Sequence, residues 1–183
     1  MKTKILAITL ATAGLMTAAG SAQAADGTIN FTGSVIASTC KINAGTNDLA
    51  VVLPRVGTNS LAKAGATAGR TPFVLALTGC SVSKDAPTKV AVSFEPGTSV
   101  NADTGRLKLQ GADAASNVEI GILNDQSAPI KVGAASADQN SQIVAIDGTT
   151  GAAKMSYAAE YTATGVATAG TANSFVQYTL MYP

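Results

Sequence analysis

The sequence predicts an all-β protein built as a sandwich of short strands, and three observations carry that expectation. Apolar residues recur at every second position in at least six separate stretches, the period of a strand with one buried face. Gly, Pro, Asn and Asp bound those stretches, as turns require. The Ala-rich runs at residues 112–115 and 134–137 are short and flanked by glycine, so they read as loops.

In chain order, residues 1–24 read as an export signal. Lys2 and Lys4 supply a positive start, residues 5–19 an apolar middle, and Ala22-Gln23-Ala24 a small-residue cleavage site. A membrane anchor is the alternative, for which the apolar run is short. The mature chain then begins outside the cytoplasm, and its roughly 159 residues suit one domain with a sizeable core.

The stretch Gly27-Thr28-Ile29-Asn30-Phe31-Thr32-Gly33-Ser34-Val35 follows at once. A two-residue period puts Ile29, Phe31, Gly33 and Val35 on one side of the backbone. After Val35 the alternation changes phase, because Ile36, Cys40 and Ile42 fall on even positions. Either one strand ends there and another begins, or the strand carries a bulge. Residues 49–53 form a short apolar strand stopped by Pro54, and residues 56–70 read as a connection.

Phe73, Leu75 and Leu77 then alternate into Gly79-Cys80, and Val90, Val92 and Phe94 repeat the pattern up to Pro96-Gly97. Leu107 and Leu109 mark a short strand after a turn at residues 101–105. Val118, Ile120 and Ile122 form the next, ended by Asn124-Asp125. Residues 143–146 are a weaker apolar run. Met155-Tyr157-Ala159-Tyr161 and Val176-Tyr178-Leu180-Tyr182 are the last two alternations.

Composition narrows the chemistry. The chain holds 12 basic and 11 acidic residues; without Lys2 and Lys4 the balance is 10 against 11, a net of −1. The cations are scattered, so a nucleic-acid partner has no electrostatic footprint. There is no histidine, which removes the usual general base and nucleophile activator. No serine motif or phosphate-cradling glycine pattern stands in for it. The expectation is a protein with no catalytic residues, no cofactor and no metal.

Cys40 and Cys80 are the two cysteines. An even count in an exported chain argues for one disulfide. Closing a loop of about 40 residues is worth about 4 kcal/mol in the chain-entropy account. A metal site is the alternative, but two cysteines without histidine do not complete a tetrahedral set.

The Ile-x-Phe-x-Gly-x-Val stretch before Cys40, the cysteine spacing, Gly170 fourteenth from the C-terminus and Tyr182 as the penultimate residue form an ordered set. This set resembles the pilin subunits of chaperone–usher fimbriae, the type 1 major fimbrial subunit class in particular, over the whole mature chain. The resemblance implies an incomplete immunoglobulin-like sandwich lacking its last strand, with an N-terminal donor-strand extension. The corresponding divisions are residues 1–24 (signal), 25–35 (extension) and 36–183 (pilin domain).

It implies that Ile29, Phe31, Gly33 and Val35 plug the groove of another copy. It gives Gly170, Val176, Tyr178, Leu180 and Tyr182 to a C-terminal groove strand that a periplasmic chaperone recognises. The implied partners are other copies of the chain, that chaperone, an outer-membrane usher and other pilins including a tip adhesin. The implied location is a fimbria on the bacterial surface, reached through the periplasm and supporting cell adhesion. Pro183, which lacks an N–H, departs from the family pattern. A minor or adaptor pilin is one alternative; a monomeric exported sandwich that binds a ligand is another.

Overall fold

A computed structural model describes residues 28–35 and 40–183. The chain divides into two compact units, Met1–Ile36 and Ala37–Pro183. The residues read as an export signal, together with Gly27 and Ile36, lie outside the described residues.

The second unit is all-β. Its strands are β1 (Lys41–Ile42), β2 (Thr67–Thr78), β3 (Lys89–Phe94), β4 (Val100–Asn101), β5 (Arg106–Lys108), β6 (Val118–Leu123), β7 (Ile143–Ala145), β8 (Ala153–Ala163) and β9 (Tyr178–Met181). One sheet has the order β1-β2-β8-β6-β5-β4 and the other β7-β3-β9, with every pairing antiparallel. Among the described residues the only helical segments are 3₁₀ turns at Asn43–Gly45, Thr58–Leu61 and Ser136–Asp138.

The core lies where the alternating faces meet. Leu75 and Leu77 of β2, Val90, Val92 and Phe94 of β3, Ile120 and Ile122 of β6, and Met155 and Tyr157 of β8 are all buried. Tyr157 ties the two sheets together. Its ring stacks on Phe73 with centroids 5.6 Å apart and meets Phe94 edge-on at 5.4 Å, both favoured geometries for aromatic pairs.

β6 is buried along its whole length, so its outward-facing Glu119 needs partners. Asn101 Nδ2 donates to Glu119 Oε1 at 2.6 Å, and Arg106 lies 3.6 Å from Oε2. The neighbouring Glu160 on β8 accepts from Arg70 Nε at 2.8 Å.

Three expectations from the sequence are corrected here. Residues 49–53 form no strand: the alternation is present, but no backbone among the described residues pairs with it. The supposed connection 56–70 contains the first residues of β2, because a bulge between Ala68 and Thr71 interrupts the ladder. Gly69 makes that bulge possible at φ +70°, where a Cβ would sit 3.0 Å from the Tyr161 ring and 3.3 Å from Pro54. The turn read at 101–105 starts one residue later, since Asn101 pairs with Arg106.

Candidate functional site

Among the described residues β9 is paired on one side only. Its register sets Phe94 opposite Tyr178, Ser93 opposite Thr179 and Val92 opposite Leu180. The Glu95 amide donates to the Gln177 carbonyl at 2.8 Å. Gln177, Thr179 and Met181 are therefore the residues whose backbone groups turn toward β3, by the alternation of an antiparallel ladder.

The N–H and C=O groups of Val176, Tyr178 and Leu180 point the other way. Among the described residues no backbone hydrogen bond is made on that side. Such an open row is the part of a sheet that takes up a further strand. The side chains keep step: Val176, Tyr178, Leu180 and Tyr182 are half-buried against the core, while Phe175, Gln177 and Thr179 are exposed.

The far edge of β3 shows how the fold treats such groups when it completes them. Phe94 also has its backbone turned away from β9, and the buried Gln139 side chain answers it. The Phe94 amide donates to Gln139 Oε1 at 2.8 Å, and Gln139 Nε2 donates back to the Phe94 carbonyl at 2.9 Å. One side-chain amide takes the place of a strand residue there. Among the described residues no strand is added beside β9.

Residues 47–58 run along the opposite side of the open edge. Leu49, Val51 and Leu53 share a groove with Phe175, Val176 and Tyr178, and core residues including Phe73, Leu75, Phe94 and Ile122 form its floor. This lobe has a volume of about 310 Å³. A wider lobe of about 790 Å³ continues past Leu53 between residues 54–58 and 167–173, lined also by Val118 and Tyr161.

Hydrogen bonds bridge the slot at two points. The Ala167 amide donates to the Leu61 carbonyl at 3.2 Å, and the Tyr178 hydroxyl donates to the Asn47 carbonyl at 2.6 Å. Burial, with the Asp48 carboxylate as a lesser cause, pushes the Tyr178 phenol above its ordinary pKa, so it keeps the proton it donates.

Gly170 lines the wider lobe; it lies in the segment before β9, not on the strand. Its neighbour Thr171 is bonded to the 113–115 backbone, accepting from Ala115 N at 2.9 Å and donating to the Asp113 carbonyl at 2.7 Å. A Cβ at Gly170 would collide with Ala115 N and come within 2.7 Å of the Ala114 carbonyl carbon. Only glycine lets this wall of the groove lie flat on its neighbour.

Cys40 and Cys80 are joined in a disulfide. Beside it β1 pairs with the end of β2, Lys41 opposite Thr78, and the Cys80 amide donates to the Gly151 carbonyl at 3.0 Å. The chain is thereby anchored to the large sheet at the residue where the N-terminal stretch ends.

In the first unit, residues 28–35 are exposed throughout and pair with no strand among the described residues. Ile29, Phe31 and Val35 are 80, 90 and 102 % exposed, and no described atom approaches within 4 Å of a Cβ built on Gly33. Three large apolar side chains in alternation, all in water, are costly unless something covers them.

Among the described residues no three His, Cys, Asp or Glu side chains are grouped to hold a metal ion, and the groove is lined chiefly by apolar side chains. The sequence pointed to the Val176–Tyr182 alternation but not to Leu49, Val51 and Leu53 as the opposing wall, nor to Gln139. The alternation at residues 49–53 is the sequence signal for this wall, and by itself it is indistinguishable from that of a paired strand.

Comparison with known proteins agrees with this geometry. Residues 53–183 match the family described as FimA, type-1 fimbrial protein, A. The chain is 51 % identical to the major fimbrial subunit SMF-1 of Stenotrophomonas maltophilia, covering 88 % of this chain and 95 % of that one. It is 33 % identical to the type-1 fimbrial protein A chain of Escherichia coli K12 over the whole of both chains. A subunit from a solved chaperone–usher pilus has the same fold, with a TM-score of 0.61 at 18 % identity over 87 % of this chain and 96 % of that one.

Proposed function

The chain belongs to the FimA family of type-1 fimbrial proteins, and from that premise we propose that it polymerises by strand addition. The extension around Ile29, Phe31, Gly33 and Val35 of one copy enters the groove of the next and completes its sandwich. The observation that carries this reading is a pairing of opposites within one chain. One unit presents an exposed alternating apolar stretch, and the other an apolar groove beside an unpaired strand edge.

The energetics suit a durable joint. Covering Ile29, Phe31 and Val35 contributes roughly 1.5–3 kcal/mol each. Each new main-chain hydrogen bond to Val176, Tyr178 or Leu180 adds about 0.5–1.5 kcal/mol net. The groove divides into two lobes at Leu53, and a residue without a side chain suits the passage between them; we assign Gly33 to it.

Before assembly the same edge needs a temporary partner, since an unpaired strand beside an apolar slot invites aggregation. A periplasmic chaperone that lends a strand fits that need, followed by an outer-membrane usher and by other pilins up to a tip adhesin. The role is structural and not catalytic, its site of action a fimbria outside the cell.

Deleting residues 29–35 tests the proposal. The variant is expected to take up a synthetic peptide of residues 28–39 but to form none of the heat-labile, detergent-resistant ladder of the intact mature chain. Gly33→Leu is expected to stop joining in the same assay while leaving the chaperone-bound subunit intact. A ladder from the deletion variant equal to that of the intact chain overturns the proposal.

A further inference from the structure

We propose that Tyr178 is a spacer that holds the acceptor groove open at the width of one strand. The inference rests on the strand-addition reading above and adds to it the residue that keeps the vacancy ready.

The two walls of the slot are apolar and face each other across empty space. Leu49, Val51 and Leu53 stand on one side, Phe175 and Val176 on the other. Hydrophobic attraction is non-directional and proportional to the area removed from water. With no strand between them, these walls gain by closing on each other. A closed slot admits nothing, because an incoming strand must first prise the walls apart.

Tyr178 sits where that closure would occur. It opposes Phe94 in the ladder, so its side chain leaves β9 on the same face as Val176 and Leu180. The phenol crosses to the other wall and donates to the Asn47 carbonyl at 2.6 Å, joining residues 131 positions apart. Between this bond and the Ala167–Leu61 bond at the far end, no hydrogen bond links residues 48–60 to 168–177 among the described residues.

A strand seated between two neighbours needs them about two inter-strand spacings apart, roughly 9.5 Å. The reach of one tyrosine side chain plus one hydrogen bond is comparable. The ring acts as a rigid strut, with two χ angles to fix, and the hydroxyl supplies the foot that locks it to the opposite wall. The acceptor is a backbone carbonyl, so the strut works whatever side chain residue 47 carries.

A spacer changes how fast a strand enters and leaves the packing of the finished joint alone. The test uses the mature chain and its Tyr178→Phe variant, which keeps the ring and loses the foot. The probe is a fluorescent synthetic peptide of residues 28–39, with association and dissociation rates read separately by anisotropy. The expected result is an association rate lowered roughly five- to ten-fold, the kinetic equivalent of one hydrogen bond, with an unchanged dissociation rate and an unchanged melting temperature of the peptide-free protein. Equal association rates for the two proteins overturn the spacer while leaving strand addition standing. Failure of the peptide to bind the unaltered chain overturns strand addition and the spacer with it.

Discussion

β8 and β9 carry the same pattern and live in different surroundings. Met155-Tyr157-Ala159-Tyr161 and Val176-Tyr178-Leu180-Tyr182 are both clean two-residue alternations of large and small apolar residues. In β8 all four are buried, because β2 flanks the strand on one side and β6 on the other. In β9 and its flanking residues the equivalent four are only half-buried, and β3 is the single flanking strand. Alternation reports which side chains face inward; it does not report how many neighbours the strand has. The open side of β9 is where we propose that the exposed stretch at residues 28–35 of another copy adds its strand.

The contrast can be broken by substitutions whose cost depends, or does not depend, on a seated donor. Met155→Ala is expected to cost about 2–5 kcal/mol in urea unfolding, the same with or without the peptide of residues 28–39, because β8 is already complete. Gly170→Ala is expected to cost about 1–3 kcal/mol as the 167–173 wall is pushed off the Ala114–Ala115 backbone, and to weaken peptide binding by deforming the wider lobe. Leu180→Ala is expected to cost the least in the free chain, about 1–2 kcal/mol for a half-buried side chain, and measurably more once the peptide is bound. A Leu180→Ala penalty that does not grow on peptide addition would mean that nothing covers β9.

The layout of the sandwich was legible wherever large apolar residues alternate and turn residues bound the run. β3, β6 and β8 stand where Val90, Val118 and Met155 begin their alternations. It was illegible where tertiary geometry overrides local pattern. The start of β2 is hidden behind Gly69, whose positive φ makes a bulge within what otherwise resembles a loop. Residues 49–53 have a strand's alternation but lack a neighbour, so they form a wall and not a ladder.

The functional surface divides in the same way. The apolar residues on each side of the joint announce themselves by periodicity. The polar groups that hold the groove in shape do not. Gln139 is one amide in a loop, with nothing local to reveal that it is buried against Phe94. The bond from Tyr178 to Asn47 spans 131 positions and uses a main-chain acceptor, so no side-chain motif marks it.

On the strand-addition reading, the outward edge of β9 is vacant in the free subunit and filled in the fibre. Residue-resolved amide hydrogen exchange on the mature chain, with and without the peptide of residues 28–39, tests it most directly. The register requires a split by parity: Thr179 and Met181 protected in both states, and Val176, Tyr178 and Leu180 exchanging quickly alone and slowly once the peptide is bound. Fast exchange at Val176, Tyr178 and Leu180 that persists with peptide bound, or protection there in the free monomer, would contradict the account.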